Sequence, residues 1–262
     1  MRGRLDVGGV IGRVFEIYVG QASVLMPAAA VVFVISGILR QVLVAAGPGA
    51  ALLAELISLV AGMLFTGMVV ELVADVQDGR RDATPGQLLR AVTPVLGQLI
   101  LVGILYGLCV VVGFVLLIVP GLILITIWSV AAPVVVLERP GATAALGRSR
   151  ELVRGNGWQV FGVIFVLGIL VLIVAFLLEL AAASASTGVG IVVAVVVGVL
   201  TAPLSALAAA VLYFELRGLA QGDASAAPTD AAPPGPVPPG AGPPSPPEPG
   251  AGGSAGDPFG TA

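Results

Sequence analysis

Apolar residues in this chain run in long blocks instead of alternating. Six stretches, at about residues 24–46, 51–74, 97–118, 121–137, 158–180 and 189–214, are nearly unbroken in Ala, Val, Leu, Ile and Gly. A helix rises 1.5 Å per residue, so about 20 apolar residues cross roughly 30 Å of hydrocarbon. Five stretches meet that length, while the fourth is short and contains Pro133. Only Pro120-Gly121 separates the third from the fourth. One fused helix over both would reach about 60 Å, twice the hydrocarbon thickness. A tight hairpin or a partly re-entrant pair, turning at 119–122, is expected instead. The pattern predicts an all-α integral membrane protein with about six transmembrane helices.

The segments between the stretches have a different period. Val10, Ile11, Val14, Phe15 and Tyr18 recur at helical spacing before the first span, opposite Arg13 and Glu16. Before the third, Thr84-Pro85-Gly86-Gln87 reads as a capping box with proline at the first helical position. Leu88, Leu89 and Val92 then form a short apolar face. Before the fifth, Ala145, Leu146, Ser149, Leu152 and Val153 face one way, with Arg148, Arg150, Glu151 and Arg154 around the remainder. Each segment is expected to be a short amphipathic helix lying along the inner leaflet and feeding a transmembrane hairpin.

Charge orients this arrangement. Arg2, Arg4 and Arg13 precede the first span, and Arg80, Arg81 and Arg90 lie between the second and third. Arg139, Arg148, Arg150 and Arg154 lie between the fourth and fifth, and Arg217 follows the sixth. With six spans these all fall on one side; a five-span chain would move Arg217 to the other. Only Arg40 falls toward the opposite end, where it can snorkel. Both termini are therefore expected in the cytoplasm, in a multi-pass protein of the bacterial inner membrane with no cleavable signal. Twelve arginines and no lysines, with abundant Ala, Gly and Val, suggest a GC-rich bacterial genome.

Composition divides the chain in two. Over all 262 residues it is 58% hydrophobic and 10% charged, with a net charge of -3, which excludes an ordinary soluble domain. Residues 219–262 hold 12 of the 20 prolines and four acidic residues without a basic one. They read as a disordered Pro/Gly/Ala-rich cytoplasmic tail, in which Pro236-Val237-Pro238-Pro239 offers a polyproline-type ligand. Residues 1–218, the six-span domain, carry twelve arginines against eleven acids, a net of +1. The acidic balance belongs to the tail, and no feature points to nucleic acid.

Candidate chemistry is sparse. The chain has no histidine, and its one cysteine, Cys109, lies inside the third span as a small apolar filler. Glu71, Asp75, Asp78 and Asp82 share a helical face but read as a solvated helix end beside arginines. Glu55, Glu71, Glu179 and Glu215 all lie toward span ends, which disfavours a proton or ion pump and a deep polar cavity. No phosphate loop, dinucleotide fingerprint or zinc-protease motif is present, so neither a catalytic, metal nor cofactor site is expected. Small residues at Gly190, Ala194, Gly198, Ala202, Ala206 and Ala210 give the sixth span a smooth face for close helix packing. Gly103 and Gly107 form a weaker lone GxxxG.

The region from Pro120 to Val163 carries a specific order of residues: Pro120-Gly121, Pro133 with a Val-rich run to Glu138, Ala144-Ala145-Leu146, Arg148-Ser149, Glu151-Leu152, Gly155 and Trp158. Together with the closing Tyr213-Phe214-Glu215-Leu216-Arg217, it resembles the membrane domain found in some bacterial glycerophosphoryl diester phosphodiesterases and in many stand-alone membrane proteins. The resemblance covers roughly residues 8–218. In fused members the activity resides in a separate soluble barrel, and no segment of this sequence corresponds to it. The resemblance therefore implies a motif of structural or functional weight at Pro120, Gly121, Pro133, Glu138, Arg148, Ser149, Glu151, Trp158, Glu215 and Arg217, with Glu138 free to pair with Arg148 or Arg150. The expected role is a non-enzymatic scaffold or accessory component that meets membrane lipids and a membrane or cytoplasmic protein partner. A transporter or lipid-handling protein, or an anchor whose tail recruits a cytoplasmic partner, are the alternatives.

Overall fold

Several helices follow one another almost end to end, with a single residue between them at Gln21 and at Leu117 and two at Ala46–Gly47. The computed structural model describes residues 4–79, 84–182 and 187–225. Arg2, Arg80, Arg81, Asp82, the turn near 184 and the proline motif at 236–239 lie outside the described residues. The elements are α1 (Val7–Gly20), α2 (Ala22–Ala45), α3 (Pro48–Gln77), α4 (Pro85–Val92), α5 (Leu96–Leu116), α6 (Ile118–Ile127), α7 (Ala131–Leu137), α8 (Ala142–Val153), α9 (Gly157–Ala182) and α10 (Thr187–Ser225), with a 3-10 turn at Thr93–Val95. No strand occurs among the described residues. Six spans are long and apolar enough to cross a bilayer: α2, α3, α4 with α5, α6 with α7, α9 and α10. The protein is an all-α, multi-pass integral membrane protein.

The spans close into a ring. Each neighbours the next, from α2 through α3, α5, α6 and α9 to α10, and α10 returns to α2. α3 and α10 also touch each other, and α7 packs against both. The buried core lies toward the end that carries α1, α4 and α8. It takes Phe65–Val73 of α3, Leu204–Leu216 of α10 and Val134–Val136 of α7. Toward the other end Val31, Ile35, Leu52, Leu108, Leu117, Leu172 and Val192 are exposed, the expected dress of a lipid-facing surface.

Turn chemistry explains the helix limits, and two expectations change here. The break between the third and fourth spans is Leu117, whose extended backbone separates α5 from α6, instead of residues 119–122. Pro120 falls in the first turn of α6, where a missing N–H costs no helical hydrogen bond. The hairpin is full, since α7 returns along α5. It is tight because a Cβ on Gly121 would stand 2.7 Å from the Phe114 ring, and one on Gly113 would stand 3.1 Å from the Gly121 Cα.

The fourth span is broken, but not at Pro133 itself. Trp128–Val130 form the break, and Pro133 is the third residue of α7. In a continuous helix its ring would strike the carbonyl four residues earlier, at Ser129, so the backbone opens N-terminal to the proline. The sixth span also outruns its expected limit. α10 continues to Ser225, so residues 219–225, assigned to the tail by composition, extend the helix.

The short helices form as the periodicity predicts, but their apolar faces are buried by protein. Val10, Val14 and Ile17 of α1 are buried where it packs on α9 and α10. Leu88 and Val92 of α4 face α3, so close that a Cβ on Gly67 would stand 2.5 Å from Val92. Phe15 and Leu89, assigned to the apolar faces, are exposed. Connections of one to a few residues leave these helices no room to lie away from the bundle. The Thr84 N–H donates to Gln87 Oε1 at 2.8 Å, one half of the expected capping box.

Candidate functional site

The family-motif residues meet around α7, the short buried helix of the broken span. Glu138 caps its C-terminus, and the chain then leaves through Arg139 at φ 54 and Gly141 at φ 91. A left-handed arginine costs about 1–2 kcal/mol. It is held by its own N–H, which bonds the Val134 carbonyl at 3.2 Å and closes the helix end. This sharp exit turns α8 back along α7, so that Arg148 arrives opposite Glu138.

Glu138 receives two donors on different oxygens. Arg148 Nε donates to Oε2 at 3.1 Å, and the Tyr213 hydroxyl donates to Oε1 at 3.0 Å. The Tyr213 side chain is fully buried in α10, and the Arg217 guanidinium lies beside its hydroxyl. Arg148 also reaches Glu151 at 3.5 Å. Burial alone would lower the Arg148 pKa, but the charge and hydrogen bonds of Glu138 and Glu151 outweigh it and raise it above the usual arginine value. The gain would be lost only as pH rises beyond the arginine range, so Arg148 stays charged at any physiological pH.

Ser149, one residue on, faces the other way and is fully buried. Its hydroxyl donates to the Ile127 carbonyl at 2.9 Å. That carbonyl ends α6, and the break after it removes its ordinary partner four residues on. α8 thus pins both ends of α7, Ser149 at the preceding break and Arg148 at the following cap. A third tie comes from Asn156, which precedes α9 and whose Oδ1 accepts the Leu5 N–H at 3.2 Å.

The remaining motif residues are elsewhere. Pro120 and Gly121 shape the α5–α6 turn, and Pro133 sets the α6–α7 break. Trp158 is 84% exposed at the start of α9, edge-on to Phe161, which stacks on Phe165. Glu215 is exposed on α10, outside the cluster. Sequence reasoning missed the roles of Tyr213, Ser149 and Asn156. The signal was a phenol and a hydroxyl recurring inside apolar faces, where an unsatisfied group would be costly.

Two pockets flank α2 and α3. One, about 470 Å³, is an apolar groove between them that runs from Leu39 and Ile57 to Pro85 and Leu89 at the start of α4. The other, about 280 Å³, lies between α2, α3 and α10 and is lined in part by Ser36, Arg40, Gln41 and Ser58. It is open and mostly apolar, with Ile191, Ala194 and Val195 of α10 among its lining. Neither pocket includes Glu138, Arg148, Ser149 or Tyr213. Among the described residues, no three His, Cys, Asp or Glu side chains group closely enough to hold a metal ion.

Comparison with known proteins adds two similarities. A family model described as a domain of unknown function (DUF8558) matches residues 87–216, the region that holds α7, α8 and Tyr213. A UPF0259 membrane protein from Pectobacterium carotovorum subsp. carotovorum is 35% identical over 102 residues, which cover 38% of this chain and 39% of that protein. The chain thus spans about two fifths of the curated relative that it matches. No solved structure matches it.

Proposed function

We propose that the protein is a non-enzymatic scaffold or accessory component of a bacterial cytoplasmic membrane. In this reading the body is a stand-alone form of the membrane domain that accompanies glycerophosphoryl diester phosphodiesterases. Both termini and the helices α1, α4 and α8 lie on the cytoplasmic side. The arginines support that orientation: Arg13, Arg90, Arg148 and Arg150 lie on these short helices, and Arg154 follows α8 directly.

The observation that carries the scaffold reading is the closed state of the motif. Both Glu138 oxygens are engaged, the Ser149 hydroxyl is engaged, and neither flanking pocket reaches them. Such residues fix a broken span; they offer no nucleophile or acid–base pair to a substrate. Lipid-exposed apolar faces on α2, α5, α6 and α9 remain for partners in the bilayer.

In-membrane cross-linking followed by native separation tests this, with full-length protein beside a 1–225 truncation. A discrete heteromeric assembly common to both is expected. A monomer in both would remove the scaffold reading, and an assembly lost on truncation would favour an anchor that recruits through its tail. The apolar groove between α2 and α3 supports a second reading, a lipid-handling protein, because its walls offer contacts suited to an acyl chain.

A further inference from the structure

Among the described arginines, Arg40 alone lies toward the end opposite the short helices, and its half-exposed side chain stands at a pocket. On α2, Phe33, Ser36, Gly37, Arg40 and Gln41 follow helical spacing and line one pocket with Ser58 of α3 and Val195 of α10. The helices approach closely below it: a Cβ on Gly37 would stand 3.1 Å from Val195, and one on Gly198 would stand 3.2 Å from Phe33. Polar side chains within a span that line a protein cavity mark a binding site by default, because lipid-facing packing would favour apolar residues there. The pocket, about 280 Å³, lies just below the ordinary range of small-ligand sites, roughly 300–1,000 Å³.

Its charge pattern narrows the ligand. Arg40 Nε and Nη2 both donate to one Glu55 oxygen, Oε1, at 2.9 Å. Further guanidinium donors, the Gln41 amide and the Ser58 hydroxyl stand at the same pocket, a donor set that suits a phosphate. Glu55 does not line the pocket itself but stands at its edge through the ion pair with Arg40. It balances the local charge, so a ligand of matching chemistry carries a cation beside its anion. Arg40 lies five residues before the end of α2, about 8 Å along the axis, a depth from which its side chain reaches the headgroup layer.

We propose that this pocket binds the headgroup of a zwitterionic phospholipid, with the phosphate against Arg40 and Ser58 and the ammonium against Glu55. The inference deepens the lipid-handling reading above by naming a site and a lipid class. Native mass spectrometry of the full-length protein, given phosphatidylethanolamine, phosphatidylglycerol, diacylglycerol or inorganic phosphate, tests it. Phosphatidylethanolamine adducts are expected to predominate, and Arg40→Gln to weaken them about tenfold, as loss of a charge-assisted hydrogen bond implies. Ser58→Ala is expected to weaken them by a smaller factor while leaving the ion pair, and so the fold, intact. Glu55→Gln should shift the preference toward phosphatidylglycerol, and Arg150→Gln, at the opposite end, should change nothing.

Equal retention by Arg40→Gln and Ser58→Ala, equal binding of diacylglycerol, or Arg40-dependent binding of inorganic phosphate alone would overturn the proposal. A vesicle-to-vesicle lipid-transfer assay separates site from function. Arg40-dependent adducts without transfer would keep the site and remove lipid handling. Transfer without such adducts would keep lipid handling and remove the site.

Discussion

At the scale of single residues, the network at Glu138 is held by donors whose loss leaves a carboxylate oxygen in protein. Tyr213→Phe removes one donor and keeps the ring. It is expected to destabilise by about 1.5–3 kcal/mol, the range for hydrogen bonds to charged groups. Thermal unfolding in nanodiscs checks this. Glu138→Gln in the Tyr213→Phe background should cost less than in the wild type, since the two substitutions break the same bond. Ser149→Ala leaves the Ile127 carbonyl without its side-chain donor and should lose about 1–3 kcal/mol. Trp158→Leu, at a side chain that is mostly exposed, should stay within about 0.5 kcal/mol.

Apart from the Glu138–Arg148 pair, the sequence identified these residues without their partners. Glu138 and Arg148 were singled out by the family resemblance, which left Arg148 and Arg150 open as partners of Glu138. Tyr213 stood in the closing motif without a role, since its partner lies 75 residues away on another helix and no periodicity encodes that contact. Ser149 was legible as part of the α8 face, but its target depends on where α6 stops. A proline signals that a helix will break, while the carbonyl left open is set by packing.

At the scale of elements, glycines sort by what stands opposite them. Gly121→Leu would drive a side chain into the Phe114 ring at the α5–α6 hairpin. It should destabilise by about 1–3 kcal/mol or more, as overpacking does. Gly107→Leu meets open space and should be neutral, although the GxxxG spacing treats Gly103 and Gly107 alike. The same contrast holds within the small-residue stripe of α10. Gly198→Leu presses on Phe33, whereas Gly190→Leu meets nothing within 4 Å. Protein yield and unfolding temperature for the four variants would show whether both stripes are read in this way.

Element types and their order followed from the apolar blocks, and the short helices from their 3.6-residue period. What the sequence did not show was the material that covers the short helices. An amphipathic face has the same pattern whether it meets lipid or another helix. Here, tight connections decide for protein, and Val14, Val92 and Ala145 are fully buried in consequence. The break at Leu117 escaped for a related reason: Pro120-Gly121 marks a turn to within a few residues, and proline is tolerated in the first turn of the helix that follows.

At the scale of the whole molecule, the account joins six spans, a core near the arginine-rich end and a pinned α7. Residues 226–262 are rich in proline, glycine and alanine and offer little apolar surface to bury, so their removal should leave the unfolding temperature within about 1 °C. The central claim is that all the short helices share one side of the membrane with both termini. Single cysteines at Arg150, Ser184 and Ser225, introduced into a Cys109→Ala background and probed with a membrane-impermeant thiol reagent on intact cells, test it most directly. The account predicts that the cysteine at 184 alone reacts, while those at 150 and 225 react only after lysis. Reaction at 150 and 225 from opposite sides of the membrane would contradict it.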